Sequence, residues 1–150
     1  MTARPQPGAV GGQTEAGNCI ELRAPARPEM WSLLRLVASH AASLLDFDFE
    51  QISDLRLAVD ELATVCSRGA LPGCELQFLV QWDDETLTVT CLASAVGPGS
   101  EETDEARDGL LPPGFGPDEL SERIIEALVD SYEVSPLDGS TRRGWLKKSR

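Results

Sequence analysis

Two adjacent carboxylates, Asp60 and Glu61, lie in the middle of a stretch with the pattern of an amphipathic helix, where one of them could face a pocket. The helical pattern comes from apolar residues that recur every three or four positions, at Ile52, Leu55, Val59, Leu62 and Cys66. Neighbouring helical residues point about 100° apart, so at most one of the two carboxylates faces whatever the apolar side covers. Glu61, which flanks Leu57 and Leu62, could lie at a pocket rim. From the residues alone a solvated acidic pair is favoured, since carboxylates are mostly exposed.

The cysteines and the histidine do not predict a metal site. Cys19, Cys66, Cys74 and Cys91 form no Cys-x-x-Cys pair, and the single histidine, His40, does not complete a zinc-binding set. In a cytosolic chain such cysteines are expected to be reduced, small and buried. A redox-sensing role is the alternative, and it would require a lowered thiol pKa.

Composition restricts the partners of the chain. Its 150 residues suffice for one domain with a two-layer core. A formal net charge of −12 argues against a general nucleic-acid-binding protein and fits a basic partner. No apolar stretch approaches the roughly 20 residues of a membrane span, and the Gly- and Pro-rich N-terminus lacks the apolar core of a signal peptide. The sequence therefore predicts a cytoplasmic protein.

The elements that position Glu61 are predicted from periodicity and turn residues. Residues 1–17 are expected to form a disordered tail and residues 18–150 a single domain. Strands are predicted over 19–23, 75–82, 86–92, 131–134 and 141–146, and helices over 28–45, from about 50 to 68, and over 119–130. The Gly-, Pro- and acid-rich segment 95–116 is a lid or a linker. This order predicts a two-layer α/β sandwich, with a mixed, mostly antiparallel sheet and helices on one face.

The packing faces of the outer helices also follow from periodicity. The first helix is predicted to pack through Met30, Leu33, Leu34, Val37, Ala41 and Leu44. The last helix is predicted to pack through Leu120, Ile124, Ala127 and Leu128. The basic C-terminal end, with its five Lys and Arg residues from Arg142 onward, is expected to be a solvated edge.

The stretch around Glu61 resembles a known motif. Residues 56–64, Arg-Leu-Ala-Val-Asp-Glu-Leu-Ala-Thr, are similar to the N-box of the GHKL-type ATPases. More narrowly, they resemble the bacterial anti-sigma factors of the RsbW and SpoIIAB type, which are also serine kinases of their anti-anti-sigma partners. The family pattern is Leu-Ala-Val-x-Glu-Ala-x-x-Asn, and the actinobacterial anti-sigma-F-like branch resembles this chain in losing the Asn. The resemblance runs from Ile20 to about Lys148 and implies the same α/β sandwich.

This resemblance implies an ATP site that has lost two of its ligands. Glu61 matches the catalytic glutamate, whereas Val65 replaces the magnesium-binding Asn and offers no side-chain oxygen. The family's Asp-x-Gly-x-Gly becomes Ala95-Val96-Gly97-Pro98-Gly99, which keeps both glycines and loses the adenine-binding carboxylate. Thr141 matches the threonine of the family's Gly-Gly-Thr. Loss of a hydrogen bond to a charged group costs roughly tenfold to a hundredfold in affinity, so ATP and Mg²⁺ are expected to bind weakly or not at all.

The resemblance also implies a partner surface on the first helix. The family carries there an arginine that contacts both the sigma factor and the anti-anti-sigma protein, and this position corresponds to Arg35. The exposed side around Trp31 and Arg35 would form the surface, although Trp31 could equally belong to the core.

The predicted function is therefore an anti-sigma factor that sequesters an alternative, stress- or sporulation-type sigma factor. It is countered by a STAS-type anti-anti-sigma protein, forms a homodimer, and makes no direct contact with nucleic acid or membrane. One alternative is an active ATP-dependent serine/threonine kinase, which Glu61 favours and Val65 and Ala95 oppose. The other is a degenerate nucleotide-fold module of a different signalling pathway.

Overall fold

The computed structural model of the chain describes residues 17–68, 73–94, 117–136 and 142–150. Within these residues lie a one-turn 3₁₀ helix, three α-helices and five strands. In chain order they are β1 (Asn18–Pro25), the 3₁₀ helix (Pro28–Met30), α1 (Trp31–Leu44), α2 (Phe49–Ser67), β2 (Glu75–Trp82), β3 (Thr86–Ser94), α3 (Pro117–Leu128), β4 (Ser131–Pro136) and β5 (Arg142–Ser149). The predicted tail, apart from Gly17, and the predicted lid or linker 95–116 lie outside the described residues. No helix of the described part has the length and apolar content needed to cross a bilayer.

The five strands form one open sheet in the order β1-β2-β3-β5-β4. Each neighbouring pair in this sheet is antiparallel, and three residues, Asp83 to Glu85, connect β2 to β3 as a hairpin. Alternate residues of β2 and β3 are buried, because successive side chains of a strand point to opposite faces. The buried face carries the helices, so the predicted two-layer α/β sandwich is confirmed.

The central helix, α2, begins at a capping box. The Asp48 carboxylate accepts a hydrogen bond from the backbone N–H of Gln51 at 2.8 Å, and the Gln51 side chain accepts one from the backbone N–H of Asp48 at 2.9 Å. These bonds satisfy two backbone donors that a helix start leaves unpaired. The helix therefore starts at Phe49, a residue that the sequence predicted to lie in the preceding link.

The core lies between the sheet and the inner faces of the helices. The apolar face predicted for α2 is confirmed, since four of its five residues are fully buried: Leu55, Val59, Leu62 and Cys66. Three predicted core residues are exposed instead, Leu44, Leu120 and Ala127. At the end of α1 the chain turns, and the next residue, Leu45, is buried in place of Leu44. On α3 the buried residues are Ser121 and Ile125, so the face is rotated by one residue from the predicted one. Adjacent Ile124 and Ile125 make the pattern ambiguous by that single step.

The basic C-terminal end is solvated at Arg143, Lys147 and Arg150, as predicted, but it is not an edge of the sheet. β5 lies inside the sheet, between β3 and β4, and the Lys148 side chain is only 11% exposed. Its ammonium group donates a hydrogen bond to the carbonyl of Leu128 at 2.6 Å and lies 3.8 Å from the Asp54 carboxylate. Lys148 thereby ties the end of α3 and the side of α2 to the sheet, where its charge is compensated by a carboxylate and a helix C-terminus.

Candidate functional site

The C-terminal half of α2 carries Glu61 and Val65, and its side chains Leu62 and Cys66 pack directly against Gly144 of β5. A Cβ atom at Gly144 would lie 2.6 Å from Leu62 Cδ1 and 3.0 Å from Cys66 Sγ. Both distances are shorter than the optimal separation of non-bonded carbon atoms, about 3.5–4.0 Å, so a side chain at this position would displace the ends of Leu62 and Cys66. Sequence reasoning did not single out Gly144. The available signal was a glycine inside a predicted strand, which often marks a close approach of backbone.

A small cleft of about 220 Å³ opens beside this end of α2. Its lining comes from α2, α3, β4 and β5, namely Val65, Glu122, Val134, Pro136 and Arg142. Arg142 directly follows Thr141 in the chain, and its guanidinium donates a hydrogen bond to the carbonyl oxygen of Val65 at 3.4 Å. The cleft is smaller than the roughly 300–1,000 Å³ of typical small-molecule sites.

The described residues of this cleft do not fit a magnesium ion at Val65. Its buried side chain has no oxygen, and its carbonyl oxygen already accepts a hydrogen bond from the cationic Arg142. Magnesium requires oxygen ligands and an absence of competing cations. Among the described residues no group of three or more His, Cys, Asp or Glu side chains could hold a metal ion. Glu61 is half-buried, on the same helix one turn before Val65.

The remaining residues of the predicted nucleotide site, Ala95, Gly97, Gly99 and Thr141, lie outside the described residues. Their contribution to an ATP site therefore stays a prediction, and the described site consists of α2, the cleft and the facing side chains of β5 and α3.

Three of the four cysteines are buried, as predicted, whereas Cys19 is exposed on β1. The Cys66 thiol contacts the carbonyl oxygen of Cys91, with Sγ and O 3.8 Å apart. A separate side-chain hydrogen bond with the Cys66 thiol, together with complete burial, raises the pKa of the Cys91 thiol. Burial and the negative charge of Glu21 raise the pKa of Cys19. These shifts favour the protonated thiol, the less reactive form.

The α1–α2 contact places the residues of the predicted partner surface. Arg35 Nη1 of α1 lies 2.6 Å from Asp60 Oδ1 of α2, and both side chains are 30% exposed. Asp60, rather than Glu61, is thus the carboxylate that faces α1. Two large apolar side chains near this pair in sequence are exposed, Leu36 at 65% and Leu57 at 46%. Trp31 is only 7% exposed and belongs to the core, which is the second of the two alternatives that the sequence left open.

Several known proteins are similar to this chain over half of its length or more. No family model matches the chain. It is 35% identical over 94 residues to the anti-sigma-F factor RsbW of Mycobacterium tuberculosis, an alignment that covers 59% of this chain and 56% of that protein. It is 40% identical over 131 residues to the serine-protein kinase RsbW of Bacillus subtilis, covering 81% of each chain, and 29% identical over 141 residues to that of Bacillus pumilus, covering 85% and 84%.

The alignment with the mycobacterial protein thus spans little more than half of that relative, whereas the alignments with the Bacillus proteins span nearly the whole fold. An identity of 40% over most of both chains is far above what a shared fold alone requires. The chain belongs to the RsbW family of anti-sigma factors and serine-protein kinases.

Proposed function

We propose that the chain is an anti-sigma factor that sequesters an alternative sigma factor in the cytoplasm and releases it when a STAS-type anti-anti-sigma protein competes for the same surface. The observation that carries this proposal is the position of Arg35 within a chain of the RsbW family. Its guanidinium is partly exposed at the junction of α1 and α2, where a partner can reach it.

The chemistry around Arg35 suits a protein partner. Arginine is favoured in interface hot spots because its planar group makes several directed hydrogen bonds. The exposed Leu36 and Leu57 add apolar area, which the centre of a protein interface also requires. A net charge of −12 favours association with a basic region of a sigma factor.

The proposal gives the chain a binding function without kinase activity. The buried Val65 provides no ligand for Mg²⁺, and Arg142 holds the neighbouring carbonyl oxygen. Glu61 could accept a proton from a serine hydroxyl, but without bound Mg-ATP no phosphoryl group is available for that serine. The second candidate is an active serine kinase that modifies its anti-anti-sigma partner. It is favoured by the half-buried Glu61 and by relatives that are named serine-protein kinases.

The proposal includes two further features of the family. We take residues 18–150 as the anti-sigma domain and residues 1–17 as a tail outside it. We also take the working form to be a homodimer, which sedimentation equilibrium of the purified chain tests directly.

Binding to purified partners tests the proposed function. The sigma factors and STAS-domain proteins of the source genome are expressed separately, and each is titrated onto the immobilised chain in biolayer interferometry. We expect one sigma factor to bind, to be displaced by one STAS protein, and to lose about 30-fold in affinity with Arg35→Ala, the effect of a hot-spot residue. Arg123→Ala, on the exposed side of α3, is the control and should bind as the wild type does. Absence of binding to every sigma factor would refute the proposal.

A phosphorylation assay separates the two candidates. The chain is incubated with Mg-ATP and the STAS protein that displaces the sigma factor, and serine phosphate is measured by mass spectrometry. We expect none. Phosphorylation by the wild type that disappears with Glu61→Gln would establish the kinase instead, and would mean that residues outside the described part replace the lost ligands.

A further inference from the structure

We propose that Asp60 is a positioning residue that holds the guanidinium of Arg35 in the orientation in which it meets the partner. This inference rests on the proposed function, since it takes Arg35 as the partner-binding residue. It goes beyond the family resemblance, which assigns no role to the position before the catalytic glutamate.

The geometry of the pair is that of a clamp between two helices. Asp60 Oδ1 lies 2.6 Å from Arg35 Nη1, a short distance for a charge-assisted hydrogen bond. Asp60 stands on the well-packed α2, between the fully buried Val59 and the half-buried Glu61, so its backbone is fixed. Both side chains of the pair are 30% exposed, so the contact is partly shielded from water and a partner can still reach it.

The contact leaves most of the arginine available. A guanidinium has five N–H donors in a rigid fork, and the contact with Asp60 is made through one nitrogen, Nη1. Within the part of the chain that the structure describes, no other acceptor engages the guanidinium, which leaves its remaining nitrogens to donate to a partner while Asp60 stays in place. Because a long side chain that is already ordered loses less conformational entropy on binding, such a clamp strengthens association. The pair is neutral overall, so it favours a partner group that accepts hydrogen bonds, such as a backbone carbonyl or a side-chain amide, over a second carboxylate.

A double-mutant cycle on partner binding tests the clamp. The dissociation constant of the sigma factor identified above is measured for the wild type, Asp60→Ala, Arg35→Ala and the double variant. Ordering one long side chain corresponds to roughly three- to tenfold in affinity, so Asp60→Ala should weaken binding by that factor. In the Arg35→Ala background the same change should have no effect, because Asp60 acts only through Arg35. Asp60→Glu, which keeps a carboxylate near the guanidinium, should recover part of the loss.

A matched control separates positioning from stability. Asp54→Ala also removes a partly exposed α2 carboxylate from an ion pair, but its partner is Lys148, on the other side of the helix. It should lower the unfolding midpoint without changing the dissociation constant. A second readout needs no partner: the ¹⁵N relaxation of Arg35 Nε in the free chain should report an ordered side chain in the wild type and a mobile one in Asp60→Ala.

Three outcomes would overturn the inference. Tighter binding by Asp60→Ala would mean that the carboxylate competes with the partner for Arg35. Unchanged binding, with Arg35 equally mobile in both proteins, would make Asp60 a bystander while leaving the anti-sigma function intact. A loss that persists in the Arg35→Ala background would assign Asp60 a direct contact. If the wild type binds no sigma factor, the proposed function fails and this inference fails with it.

Discussion

Replacement of Gly144 by alanine tests whether α2 lies on β5 as closely as the structure has it. The new Cβ would approach Leu62 Cδ1 to 2.6 Å and Cys66 Sγ to 3.0 Å, with Val134 Cγ2 at 3.3 Å. Adding a methylene-sized group to a well-packed core costs about 1–3 kcal/mol. A smaller gain opposes this, because alanine lowers the entropy of the unfolded chain by about 0.4–1 kcal/mol relative to glycine. We expect the free energy of unfolding to fall by about 1–2 kcal/mol and Tm by about 3–8 °C.

Urea denaturation followed by tryptophan fluorescence measures this change, and a second substitution identifies its cause. Leu62→Val deletes the Cδ1 atom that the new methyl group would meet, so the double variant should lose less stability than the two single changes added together. Gly73→Ala is the control. Its φ of 91° disfavours alanine, but nothing lies within 4 Å of the new Cβ, so Leu62→Val should not rescue it. A Gly144→Ala chain as stable as the wild type, or strict additivity with Leu62→Val, would refute the tight packing of Leu62 and Cys66 against Gly144.

Three further outcomes follow from other contacts. Lys148→Met should lower the free energy of unfolding by about 1–3 kcal/mol, since it leaves the Leu128 carbonyl without its donor, and an unchanged urea midpoint would contradict the buried contact. Asp48→Ala should cost about 1 kcal/mol through loss of the N-cap, while Asp48→Ser should cost much less; equal losses would show that the cap is not the cause. In thiol titration of the native chain at pH 8, Cys19 should react first and the buried Cys91 only after unfolding; rapid native reaction of Cys91 would contradict its burial and raised pKa.

Local periodicity was sufficient to predict the elements and their order. The apolar-rich pattern of residues 75–82 predicted β2 with its observed bounds, Glu75–Trp82, and the three-and-four spacing predicted the buried face of α2, because both patterns depend only on neighbours along the chain. Where two adjacent residues were equally apolar, as at Ile124 and Ile125 of α3, the pattern could not decide which one faces the core, and the prediction was off by one residue.

Contacts that depend on the order of the strands in the sheet could not be predicted from periodicity along the chain. The burial of Lys148 and the requirement for Gly144 both follow from the insertion of β5 between β3 and β4, which brings β5 beneath α2. The pairing of Arg35 with Asp60 depends on how α1 crosses α2 and is equally invisible in a periodic pattern. For the candidate site, sequence comparison supplied the positions Glu61 and Val65, whereas the hydrogen bond from Arg142 to the Val65 carbonyl required coordinates.

Under the proposed function, the layout of α2 would allow a nucleotide site to be lost while a partner surface is kept. Asp60 and Val65 are five residues apart, which places them about 140° apart around the helix axis. Asp60 faces α1 and holds Arg35, whereas Val65 lines the cleft against α3 and β5. The buried face of the helix between these two directions carries core side chains, which belong neither to the Arg35–Asp60 pair nor to the lining of the cleft. An Asn-to-Val change at the cleft can therefore remove a metal ligand, and even improve burial, without moving the carboxylate that holds Arg35. Selection acting on partner binding alone would preserve the Asp60 side of the helix, whereas on the Val65 side the metal ligand could be lost.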